Sequence, residues 1–181
     1  MNQASLYRQV MGSDFQQLAR AVRQFHSLSG PHVLRGEVAI DAPHGRLASL
    51  LARCIGAPLT TTRGAIRFDL DASPGLETWT RHFPGRTMTS RLARRDAQLV
   101  ERLGPARLTF RLAQAGGTLR MQLVRLHVLG VPCPSWLMPR VIAQESGDEG
   151  RLHFFVQASV AGLGLVASYR GFLELPPEGC R

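Results

Sequence analysis

Lysine is missing from this chain. All 22 basic side chains are arginine, set against 13 acidic ones, for a formal charge of +9 over 181 residues. A protein surface that grips phosphates normally keeps some lysine, because a compact point charge serves that purpose well. The arginine excess therefore does not by itself argue for nucleic acid. Loss of lysine beside abundant Ala, Leu, Gly and Pro is what GC-rich coding writes, since arginine has GC-rich codons and lysine has not. Cysteine is scarce as well. Cys54, Cys133 and Cys180 are odd in number, far apart and without a CxxC, so neither a disulfide framework nor a zinc site is expected, and a reducing, cytoplasmic setting is.

Long apolar runs are also lacking. None approaches the roughly 18 residues of a membrane-spanning helix. The opening MNQASLYRQVMGSDF has neither the basic segment nor the apolar stretch of a signal peptide. Motifs of catalysis are missing too: there is no GxGxxG after a strand, no phosphate loop, no HExxH and no GxSxG. The histidines, at 26, 32, 44, 82, 127 and 153, show no metal-ligand spacing. No catalytic residue, metal or cofactor is assigned, and the chain reads as a binding protein before it reads as an enzyme. Hydrophobic residues make up 44% of it, which excludes a mainly disordered chain and fits one domain over residues 1–181.

Apolar spacing of three and four predicts an amphipathic helix over residues 14–28, with Phe15, Leu18, Val22 and Phe25 on one side. Leu6, Tyr7, Val10 and Met11 suit a shorter helix beside it. Residues 32–40 alternate as a strand. GRLASLLARCIG then predicts a second short helix, with Leu47, Leu50, Leu51 and Ile55 on one side. His26, near the end of the first helix, is given a capping or packing role.

From residue 59 to 175 the period is two, punctuated by Ser73-Pro74-Gly75, Pro84-Gly85, Gly104-Pro105, Gly116-Gly117 and Gly162 to Gly164. This is an antiparallel meander. About nine or ten strands in a row would leave long unpaired edges, which closure removes. The predicted fold is mainly β (α+β): a calycin- or lipocalin-like barrel or half-barrel with two short helices near the N-terminus. The tail ends in a strand and Pro176-Pro177, which argues against a helix-grip fold.

Alternation also assigns faces. Ile66, Phe68 and Leu70 point inward, as do Leu108, Phe110 and Leu112, leaving Arg67, Arg107 and Arg111 outside. Three strands break the rule. Glu77 and Arg81 share a face with Trp79 and Phe83. Glu101 shares one with Leu99 and Leu103. Arg125 and His127 follow Leu119, Met121 and Leu123 in phase. Charge in a dry core costs several kcal/mol unless it is paired, on the order of the penalties for buried ions. These residues therefore pair with one another or line a wet cavity, and for Arg125 a bulge that shifts the phase is a third account. If they line a cavity, Arg81 and Arg125 would hold an anionic head group, with Glu101 orienting one of them. The segment PCPSWLMPR reads as a plug of the barrel end, with a flap over the mouth as the alternative.

Five stretches in order, LYRQVMGSDFQQLARAVRQFH, WTRHFPGRTMTSRL, ERLGPARLTFRL, GVPCPSWLMPRV and YRGFLEL, resemble the bacterial family of domain of unknown function 4166 over residues 6–175. His26, Trp79, Arg81, Glu101 and Tyr169 fall within these stretches. The resemblance implies no established activity. It does imply a habit of occurring alone or fused to NAD(P)-binding, saccharopine-dehydrogenase-like or epimerase-like domains.

The ligand-binding candidates are accordingly Arg81, Arg125, Glu101, Trp79, His127 and Tyr169. The first reading is a barrel that binds a hydrophobic or amphipathic small molecule. The second is an accessory domain for a separately encoded NAD(P)-dependent oxidoreductase. Nucleic-acid binding ranks third. Catalysis ranks fourth and would need Glu101, Arg81 and His127 to converge in one cleft.

Overall fold

The strands predicted from the two-residue period close on themselves. In a computed structural model that describes residues 4–148 and 150–177, the chain runs through eleven strands. They are β1 (Gly30–Asp41), β2 (Thr62–Ser73), β3 (Leu76–Phe83), β4 (Arg86–Arg95), β5 (Gln98–Leu103), β6 (Ala106–Ala115), β7 (Thr118–Val128), β8 (Val131–Pro132), β9 (Arg140–Asp148), β10 (Arg151–Val160) and β11 (Gly164–Glu174). Neighbours pair in the order β6-β5-β4-β3-β2-β1-β11-β10-β9-β7, and β6 pairs with β7. The result is a closed antiparallel barrel of ten strands, with the two-residue β8 added to β7. Closure pairs the strand edges except along the mouth-side part of β7.

β1 and β11 approach each other unusually closely. A Cβ on Gly36 would stand 1.8 Å from the Phe172 carbonyl oxygen, and one on Gly171 would stand 2.0 Å from that of Glu37. Only glycine fits there.

The N-terminal segment closes one end, the floor. The shorter predicted helix is α1 (Leu6–Met11), and the helix predicted over residues 14–28 is broken into a 3-10 helix (Gly12–Gln17) and α2 (Arg20–Phe25). Leu18 and Ala19 are extended, and the Ala19 N–H donates to the Gly117 carbonyl in the β6–β7 turn at 2.8 Å. That tertiary bond replaces a helical one. The apolar face survives the break, for Leu6, Tyr7, Phe15, Leu18, Val22 and Phe25 are all buried.

The other end is the mouth. It is crossed by α3 (Arg46–Cys54), pinned at both ends. His44 N–H donates to the Leu165 carbonyl at the β10–β11 turn, and the Cys54 carbonyl lies against Gly104 in the β5–β6 turn. The helix sits on Ala48 and Ala52, while Leu47, Leu50 and Leu51 face away from the barrel. The segment 134–138 does not plug the mouth. Ser135–Leu137 form a 3-10 turn on its rim and Trp136 is 76% exposed. Here the flap-like position, outside the core, displaces the expected plug.

Beside this turn the barrel wall is incomplete. β7 pairs with β9 only from Leu119 to Met121, so the mouth-side part of β7 has no ladder partner in β9.

Candidate functional site

Between floor and mouth lies a cavity of about 130 Å³. Its base is aromatic. Phe25 meets Phe68 and Trp79 edge-on at 5.7 and 5.8 Å between ring centroids, and Tyr7 stacks beneath on His26 at 3.6 Å. Met88, Leu103, Phe110, Val141 and Val156 form the walls, and Ile55 and Ala57, just after α3, form the roof. Each wall residue is the inward member of an alternating pair, so the two-residue period builds the apolar lining.

The polar exceptions gather on one side of this lining. Arg81 on β3 donates to Ser90 Oγ on β4 at 3.1 Å and faces the Glu101 carboxylate on β5 at 3.7 Å. Its guanidinium also lies over the Trp79 ring, 5.0 Å from the centroid. A planar cation of this kind tolerates burial when it stacks and pairs together. Across the cavity, Glu145 on β9 meets His26 Nε2 at 2.6 Å, both side chains buried. Glu77 accepts from Trp79 Nε1 at 2.8 Å. Burial pushes the Glu77 carboxyl above its usual range, and Glu145 adds to this, while His26 and the Trp79 hydrogen bond oppose it. The Tyr169 hydroxyl is likewise raised by burial; Arg81 opposes that shift, and Glu101 and Glu145 support it. Tyr7 is raised further still, by burial first and then by the nearby carboxylates. Both phenols therefore stay protonated and can donate.

Four of the sequence candidates, Trp79, Arg81, Glu101 and Tyr169, line the cavity together. The other two stand elsewhere. Arg125 is exposed on the outer face, because a bulge lies between the Thr109–Arg125 and Phe110–Leu123 pairs and Val124 is the extra residue. The bulge reverses the face of everything beyond it. His127 follows Arg125 in phase, opposite Arg107 and Pro132, so it does not converge with Arg81 and Glu101. The cavity residue Glu145 and its buried partner His26 are not among the sequence candidates. Glu145 carried a readable signal, since it alternates in phase with Val141 and Ala143. The sequence places His26 only at a helix end, because its partner lies 119 residues away in the chain. Among the described residues no group of His, Cys, Asp and Glu could hold a metal ion. Cys180 lies outside the described residues.

The fold and site together define a ten-stranded antiparallel barrel with a small, mainly apolar cavity and a buried polar wall. The profile of the family described as "Domain of unknown function (DUF4166)" matches residues 18–173, and the chain belongs to this family. Among solved structures, the chain is similar to the "Crystal Structure of Rv2717c from M. tuberculosis", at 13% identity and a TM-score of 0.50, over 88% of this chain and 99% of that one. At that identity the likeness speaks for the barrel fold alone. No curated protein matches the sequence.

Proposed function

We propose that the barrel binds a small hydrophobic or amphipathic molecule in its interior and performs no chemistry on it. The observation that carries this reading is the cavity. It is about 130 Å³, close to the roughly 150 Å³ of an engineered apolar cavity that takes up benzene. Ligand sites are typically concave, apolar and fitted with a few convergent polar groups. A ring or short chain fits the volume, and longer chains would reach out through the mouth past α3.

The polar wall favours a neutral end group over a carboxylate. Arg125 is outside, and Arg81, the interior arginine, already faces Glu101. An anionic head would have to compete with Glu101 and would also meet Glu145. A hydroxyl or amide can accept from Arg81 or Tyr169 and donate to a carboxylate without disturbing either pair. Native mass spectrometry of the purified protein, before and after organic extraction, tests the proposal. A removable small molecule, or uptake of an added aliphatic alcohol, supports it. A protein that arrives empty and takes up none of a panel of alcohols, amides and acids refutes it.

A further inference from the structure

The mouth carries apolar side chains that none of the described residues covers. Leu50 on α3 is 57% exposed, Trp136 is 76% exposed and Leu129, after β7, is 82% exposed. α3 is amphipathic in an inverted sense, with its alanines on the barrel and its leucines turned outward. Both α3 and the segment 129–138 sit at the same end, flanking the opening of the cavity.

The charge at this end is one-sided. Arg46, Arg53, Arg63, Arg102, Arg125 and Arg140 are exposed on α3 or within four residues of the mouth ends of β2, β5, β7 and β9. None of the six is in an ion pair among the described residues. Among the described residues the same region has two exposed carboxylates, Glu37 and Asp41, the latter accepting from Ser168 Oγ at 2.9 Å.

We infer that the mouth docks on an anionic phospholipid surface. Tryptophan and leucine beside unpaired arginines are the chemistry of an interfacial segment, which buries apolar side chains among acyl chains while its cations meet lipid phosphates. A second copy fits less well, because it would set arginines against arginines. Docked in this way, the cavity opens toward the hydrocarbon. The inference is independent of the ligand proposal, since the surface requires no bound molecule.

Vesicle binding tests it directly with the intact chain. The sequence has two tryptophans, and Trp79 is buried, so a blue shift of the exposed emission reports Trp136. Vesicles of phosphatidylcholine containing phosphatidylglycerol should sediment the protein and shift that emission, with binding weakened by salt. Pure phosphatidylcholine vesicles should bind it far less. Leu50→Gln should weaken binding about tenfold, from the cost of an unburied leucine. Arg46→Gln and Arg53→Gln should each weaken it about fivefold. Trp136→Ser should abolish the shift. All four positions are exposed, so circular dichroism and melting should be unchanged. Failure to bind the anionic vesicles overturns the inference, as does binding that Leu50→Gln and Trp136→Ser leave intact. Concentration-dependent dimers lost in these variants would assign the face to a second copy and would also overturn it.

Discussion

Filling the cavity should stabilise the protein and remove its binding capacity together. Ala143 on β9 is buried in the cavity wall, paired with Met121 and Val156. Ala143→Leu adds three carbons that point into the void. At about 0.8 kcal/mol per buried methylene the gross gain is about 2.4 kcal/mol. Ordering a leucine side chain removes about 0.5–1 kcal/mol of it, leaving roughly 1.5 kcal/mol. The cavity sets the ceiling: at about 24 cal/mol per Å³, 130 Å³ forfeits about 3 kcal/mol of stability. For a domain of this size the net gain corresponds to a rise in Tm of about 3–6 °C. Calorimetric melting measures the stability, and titration with a short-chain alcohol measures the binding. A packed interior would answer the larger side chain with strain and a fall in Tm. That fall, or unchanged alcohol binding in the variant, would refute the reasoning. Ala158→Leu on β10, another cavity-lining position, should behave in the same way.

Three further outcomes follow from the interior and the seam. Removing one partner of the buried His26–Glu145 pair leaves the other unsatisfied, so Glu145→Ala should cost about 3 kcal/mol in urea unfolding, and Glu145→Gln, which keeps an acceptor, clearly less. Glu77 has a raised carboxyl pKa in the folded state, so its contribution is fully present below its ordinary value of 4.5 and is lost as pH rises through the folded value. Glu77→Gln, which still accepts from Trp79, should therefore gain stability over wild type as pH increases; parallel pH profiles would contradict this. Gly171→Ala would place its Cβ 2.0 Å from a backbone oxygen that cannot yield, and should lower stability by about 3 kcal/mol in thermal melts.

Much of the barrel was legible because each signal was local. The alternation of Ile66, Phe68 and Leu70, or of Leu108, Phe110 and Leu112, needs only a pleated strand with one buried face. The Gly-containing turns mark its ends. What was hidden depends on distant partners. The break at Leu18–Ala19 is caused by a carbonyl in the β6–β7 turn, about a hundred residues away. The outward position of Arg125 is caused by a one-residue bulge, which leaves the composition of the strand unchanged. The leucines of α3 mark one face of a helix correctly, but periodicity cannot say that the alanines pack and the leucines do not. The interior position of Arg81 and Glu101 was visible because charge on an apolar face is expensive, and the structure shows them facing each other.

The central claim is that the interior is a binding cavity of defined size with a polar wall. A calorimetric titration of linear alcohols of increasing chain length, each compared with its carboxylic acid, tests it most directly. The account predicts affinity that rises with each methylene while the chain stays inside the cavity, then levels off, with each alcohol bound more tightly than its acid and binding lost in Ala143→Leu. No heat of binding for any chain length, or binding that Ala143→Leu leaves unchanged, would contradict it.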